Sequence, residues 1–325
     1  MRYVRLTIAA VAAISAQESP DALIERGRFR QARSQLVKRH GESPANPRAA
    51  YLLARTLEAG GEYEAALRLM EGAVSADPGN ADYHSLLAEL CGYAAQKAGP
   101  FKGLSLARRF KKENEAALAL NPKHVEALHA VTMFYWEAPG LIGGDKNKAL
   151  RTAEELLRAD PVHGRMTQAE LALKQKNFAQ AGQFYRQAVD ANPKSYAARV
   201  ALARFHLAPG RENYAEAETH ARAAMILDRS RVEAYTLLAR IFATAGRSSD
   251  LDAVLAQSIE RIPDNLSPQF AAAQRMFSGK ANLARAEVCL ATYLSREPEY
   301  GAPPLDQARK LLSQIRAELK EANRK

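Results

Sequence analysis

The chain of 325 residues is expected to be all-α, a right-handed solenoid of stacked antiparallel helix pairs with a C-terminal capping helix. A recurring phrase of small and large apolar residues ahead of a proline is the first ground. It reads Ala66, Met70, Ala73 and Pro78; Ala149, Ala153, Leu156 and Pro161; Ala181, Tyr185, Ala188 and Pro193; and Ala286, Leu290, Tyr293 and Pro298. The second is the spacing of the terminal prolines. They fall at Pro44, Pro78, Pro122, Pro161, Pro193, Pro263 and Pro298, with Arg229 in place of a missing one, so the intervals are 34, 44, 39, 32, 36, 34 and 35 residues. A base period of 34 with loop insertions fits them. Third, alternating strand-like runs are missing.

Along the chain, Met1–Arg5 is a short basic start, Leu6–Ile14 a short apolar run, and Ser15-Ala16 a small-residue cleavage site. Residues 1–16 therefore read as a secretory signal peptide, too short for a stable membrane anchor. From about residue 19 to 298 the chain reads as eight units of two helices, the first with a shortened first helix. Turns such as Gly60-Gly61 and Gly246 separate the helices of a unit. Proline has no amide hydrogen and cannot continue a helix, so it closes each second helix. The third unit is about ten residues longer than the period, through Ala98-Gly99-Pro100-Phe101-Lys102, and the fourth carries Ala138–Asp145 as its inter-helix loop. Leu251, where an alanine is usual, and Arg229, where a proline is, make the packing of the seventh unit less secure. After Pro298 the repeats stop, and residues 305–320 read as an amphipathic helix covering the last unit.

Read together, Leu53, Ala54, Leu57, Gly61, Tyr63, Ala66, Met70, Ala73 and Pro78 resemble the tetratricopeptide repeat, and the resemblance spans nearly the whole chain. Leu238, Ala239, Phe242 and Gly246 repeat the pattern, as do Leu202, Ala203, Tyr214, Ala217, Ala221 and Ala224. The long third unit and the Ala-Pro-Gly-x-x-Gly-Gly-Asp loop are similar to a subgroup of exported bacterial tetratricopeptide proteins and, more faintly, to the regulator of microtubule dynamics family. The resemblance implies a superhelix whose first helices line a concave groove that receives an extended peptide or a partner's helix. The places of the family's carboxylate clamp hold Tyr51, Arg55, Ser85 and Leu86, so recognition of chaperone tails is not expected.

Catalysis is not expected either. The seven histidines include no pair four residues apart, no cysteine cluster accompanies them, and the glycines at 140–144 lack the Lys-Ser/Thr ending of a phosphate loop. No metal or cofactor is called for. Cys91 and Cys289 lie in units too distant to bridge and read as small core residues. Function is then expected on the groove surface, at Tyr51, Arg55, Glu89, Tyr93, His129, Met133, Trp136, Arg204, Arg240 and Phe270. Arg204 and Arg240 hold equivalent places in adjacent units and should stack as a basic ladder suited to an acidic peptide, unless Glu233 pairs with them. The formal charge of +10 also admits binding of a polyanion, nucleic acid or polysaccharide. The basic residues are spread over every unit, however, which favours a protein partner over nucleic acid. The reading is therefore a non-enzymatic scaffold in the cell envelope.

Overall fold

A computed structural model describes residues 18–322; the expected signal segment lies outside the described residues. Among the described residues there are seventeen α-helices and no strand: α1 (Pro20–Glu25), α2 (Phe29–Glu42), α3 (Pro47–Ala59), α4 (Tyr63–Ala76), α5 (Ala81–Lys97), α6 (Pro100–Leu120), α7 (Val125–Glu137), α8 (Lys146–Ala159), α9 (Pro161–Lys174), α10 (Phe178–Ala191), α11 (Tyr196–Phe205), α12 (Tyr214–Leu227), α13 (Val232–Ala245), α14 (Ser248–Arg261), α15 (Ser267–Ser278), α16 (Leu283–Leu294) and α17 (Leu305–Ala322).

Each helix packs on the next, which makes eight successive pairs followed by α17. The recurring phrase lies at the seams: Ala66, Met70 and Ala73, Ala149, Ala153 and Leu156, Ala181, Tyr185 and Ala188, and Ala286, Leu290 and Tyr293 are all buried. The small residues let backbones approach and the large ones fill the opposite gap. Full burial of a side chain such as Met70 contributes about 1.5–3 kcal/mol. Gly164 marks a close approach of two helices, since a Cβ there would stand 2.3 Å from the Leu157 Cα on the preceding helix.

The prolines act with a capping residue two places on. After Pro44, Pro78, Pro122 and Pro193, the side chains of Asn46, Asn80, His124 and Ser195 accept backbone N–H groups in the first turn of α3, α5, α7 and α11. Where Arg229 replaces proline, Arg231 flanks α13 without a side-chain cap. The extra residues of the third unit do not form a loop, contrary to the expected loop insertion. A turn at Ala98-Gly99 lets α5 and α6 run on to 17 and 21 residues. The loop of the fourth unit does form a tight turn. Gly143 sits at φ +105°, and a Cβ on Gly144 would stand 1.7 Å from the Ala138 carbonyl oxygen.

Odd-numbered helices also bring their backbones against the next odd-numbered helix, from α1 through α17, whereas successive even-numbered helices meet only through side chains, as Arg109 of α6 does with Glu71 of α4. The stack therefore curves with the first helices inside. At the seventh pair α15 leans on α13 far more than on α14. There Leu251 is buried in the place that Ala66, Ala181 and Ala217 hold elsewhere.

The curve returns on itself. The Arg30 backbone N–H donates to Glu299 Oε1 at 3.0 Å, Arg33 Nη1 donates to the Tyr300 hydroxyl at 2.9 Å, and Arg28 Nη2 lies 2.6 Å from Asp264 Oδ2. Arg30 also pairs with Glu297, and the Arg30 and Arg33 guanidinium groups lie 5.3 and 5.7 Å from the Tyr300 ring centroid. The start of α2 is thus clasped to the segment between α16 and α17, and first and last pairs meet. Glu299 is 3% exposed; burial pushes its carboxyl up, partly offset by the Tyr300 and Arg30 backbone N–H groups.

α17 lays Ala308, Leu311 and Ile315 on the last pair, against a core that includes Cys289, Leu290 and Tyr293. Cys91 and Cys289 are both free and buried, and burial pushes the Cys91 thiol up to about 11. No helix among the described residues is long and apolar enough to cross a membrane.

Candidate functional site

Two cavities of about 890 and 540 Å³ lie on the inner face. They share Ser85, Glu89, Tyr93 and Glu126, and so form one continuous trough over α3, α5, α7 and α9. Its deeper end exists because α5 and α6 are long: Gln96, Ala107 and Phe110 wall it, and Ile142 of the glycine-rich loop closes it.

Of the expected groove residues, Tyr51, Arg55, Tyr93, His129 and Met133 line this trough, as does Glu89. Tyr51 packs on Tyr83, ring centroids 5.3 Å apart, with the Arg48 guanidinium 5.2 Å from its own. Tyr93 stacks on Tyr63 at 4.7 Å and its hydroxyl lies 3.5 Å from Glu89 Oε1. His129 has Thr167 Oγ1 at 3.4 Å from Nδ1 and Glu170 Oε2 at 3.5 Å from Nε2, and burial pushes its imidazole down. Met133 and Met166 form part of the apolar wall.

Two expectations are corrected. Phe270 is 4% exposed and packs in the core, its ring centroid 5.4 Å from that of Tyr293, because α15 is drawn in against α13. Trp136 is half-buried outside the trough; it packs on the cluster of Val131, Tyr135 and Ala149, with Lys146 Nζ of α8 5.1 Å from its ring centroid.

The basic ladder lies on the later inner helices. Arg204 of α11 is exposed and Arg240 of α13 half-buried, and a third member, Arg275 of α15, joins them. Burial, then Arg275, then Arg204 push the Arg240 guanidinium down. Arg275 donates to Thr244 Oγ1 at 3.0 Å. Glu233 does not neutralise the ladder, for it is taken by Arg231 at 3.2 Å and by the Tyr196 hydroxyl at 3.1 Å. Arg275 stands 35 residues after Arg240, and that interval was a signal available in the sequence.

The trough carries the opposite charge. Glu58, Asp82, Glu89, Glu126, Glu137 and Glu170 border it, against the single arginine Arg55. Glu58 and Glu89 stand within hydrogen-bonding reach of each other. Burial, then the Glu89 charge, push the Glu58 carboxyl up to about 8. Glu89 keeps an exposed edge while protein atoms crowd its carboxyl, and it too is pushed up by burial. Glu58 Oε1 is buried with no hydrogen-bond partner. Sequence reasoning placed Glu89 inward but missed this acidic pair, which the inward register of α3 and α5 brings together. No group of three or more His, Cys, Asp and Glu among the described residues is arranged to hold a metal ion.

Comparison with known proteins gives the same architecture. The tetratricopeptide repeat family model matches residues 23–90 and 172–213. A thermophilic tetratricopeptide repeat protein of Thermus thermophilus is similar over 58% of this chain and 96% of its own, at 24% identity and a TM-score of 0.51. Yeast Tom70 is similar over 96% of this chain and 66% of its own, at 13% identity and a TM-score of 0.60. At these identities the likeness is one of fold. No curated protein matches the chain.

Proposed function

We propose that this chain, which matches the tetratricopeptide repeat family model over residues 23–90 and 172–213, is a non-enzymatic scaffold whose inner face holds an extended segment of a partner protein in the cell envelope. The observation that carries this reading is the ladder of Arg204, Arg240 and Arg275 on successive inner helices, with Glu233 engaged elsewhere. Three guanidinium groups, one per repeat, present forked donors to carboxylates placed along an extended chain. Crowding raises the energy of the ladder when it is empty, so an anionic segment relieves repulsion as well as forming contacts. The envelope location rests on the composition of residues 1–16.

A polyanion running along the inner face is disfavoured, since it would have to pass Glu58, Glu89, Glu126, Glu137 and Glu170 in the trough. The test is fluorescence anisotropy with a labelled octapeptide of alternating glutamate and leucine. Arg204→Ala with Arg240→Ala should weaken binding about ten-fold or more, as loss of charge-assisted hydrogen bonds implies. An unchanged affinity overturns the role of the ladder.

A further inference from the structure

The trough has the wrong charge for the ligand that the ladder suits. In a chain of net charge +10, its lining holds six carboxylates and one arginine. Several of these are already engaged: His124 Nε2 lies 3.0 Å from Asp82, His129 lies 3.5 Å from Glu170, and Glu137 pairs with Lys174. Glu58 and Glu89 face each other instead, with the Tyr93 hydroxyl 3.5 Å from Glu89 Oε1 and the Arg55 charge acting on both, and the buried Glu58 Oε1 receives no N–H or hydroxyl donor. A proton shared between the two carboxyls relieves this crowding, and a cation brought by a ligand would take that proton's place.

A second, independent feature points to the same ligand class. Tyr63 and Tyr93 stack beside the acidic pair, and this stack already takes an ammonium, since Lys97 Nζ lies 4.6 Å from the Tyr63 ring centroid. Beyond Tyr93 the trough deepens into the part walled by Met133, Phe134 and Met166, which suits an apolar side chain.

We propose that the trough is a docking site for a basic side chain of an extended partner peptide, with the Lys ammonium or Arg guanidinium between Glu58, Glu89 and Tyr93 and an apolar neighbour in the deeper cavity. This rests on the inner face being a peptide groove. It adds that the groove is bipolar: one arc takes basic residues, the ladder takes acidic ones, and the partner segment must carry both signs in that order. Long-range repulsion between a cationic peptide and a chain of charge +10 works against unspecific association, so measured binding reports the local site.

The probe is a labelled octapeptide of alternating lysine and leucine, compared by anisotropy with its glutamine–leucine counterpart and with spermidine as competitor, on the full chain. The lysine peptide should bind at least about ten-fold more tightly than the glutamine peptide, and Glu58→Gln with Glu89→Gln should remove that advantage while leaving the glutamate–leucine peptide unaffected. Glu89→Lys, on the exposed edge, should abolish lysine-peptide binding with unchanged circular dichroism, so loss of fold is not mistaken for loss of the site. Equal binding of lysine and glutamine peptides, or no effect of the glutamine pair, overturns the proposal. Spermidine binding as tightly as the lysine peptide overturns the assignment to a peptide. If the glutamate peptide binds through the ladder and the lysine peptide does not bind, the trough proposal alone fails; if neither binds, the groove reading fails with it.

Discussion

Glu58 is a carboxyl whose environment departs far from its chemistry. Burial and Glu89 hold its carboxyl at about 8, so the folded chain keeps a proton that the unfolded chain releases near the ordinary carboxylate value of about 4.3. The resulting stability is fully present below that unfolded value and is lost as pH rises through about 8. That loss runs from about pH 4.3 to about 8 and levels off above it, so between about pH 7 and 8.5 the urea midpoint should still be falling toward a plateau. In this window the histidines that burial pushes down, His129, His206 and His220, are largely neutral in both states and contribute little slope. Glu58→Gln keeps the shape of the neutral form and should flatten the decline; an undiminished slope in E58Q would falsify the assignment. The same scale shows what the sequence could and could not tell about the site. Arg204 and Arg240 were legible because each follows a Leu-Ala pair at the same place in its unit. Trp136 was not, because helical spacing does not say whether a ring points into the groove or toward the next helix.

At the scale of an element, the phrase of small and large residues marked the helix seams where it recurs, since backbone approach leaves little choice of side chain. Ala66→Glu would put a charge into a seam where Ala66 is fully buried, and it should lower the melting temperature sharply and unfold the second pair with its neighbours. An unchanged melt would show that the seam lies elsewhere. The long third unit was legible as an excess of ten residues but not as longer helices, because period alone does not locate an insertion. Phe270 was misplaced for a related reason: the periodic alignment assumes equal packing of each pair, and the leaning of α15 on α13 breaks that equality. The role of α17 is open to direct test. Its Ala308, Leu311 and Ile315 are buried on the last pair, so ending the chain after Pro304 should expose that apolar face, raise binding of an anilinonaphthalene sulfonate dye and lower solubility. A truncated chain as soluble and dye-free as the full one would remove the case for a cap.

For the whole molecule the decisive feature is the clasp, which no local pattern announces because Arg30 and Glu299 are 269 residues apart. A linear array is stabilised by nearest-neighbour contacts, and its ends can fray independently. Closing first pair on last removes both free ends and couples every unit to two neighbours. The same clasp joins the two ends of the inner face, so entry of a partner segment is expected to be slower while the clasp holds. Glu299 is the keystone of this contact: its Oε1 accepts the backbone N–H of Arg30 and of Tyr300, and deleting it would leave both part-buried donors without this partner. Arg30→Ala with Glu299→Ala should therefore open the ring while the pairs stay folded. Small-angle scattering should then show a larger maximum dimension, circular dichroism should keep its helical signal, and urea unfolding should broaden as the ends melt ahead of the middle. Association with an octapeptide probe should become faster in the opened protein than in the closed one, because the inner face no longer waits on opening. Unaltered scattering dimensions and a transition as sharp as before would mean that the clasp does not hold the ends together in solution.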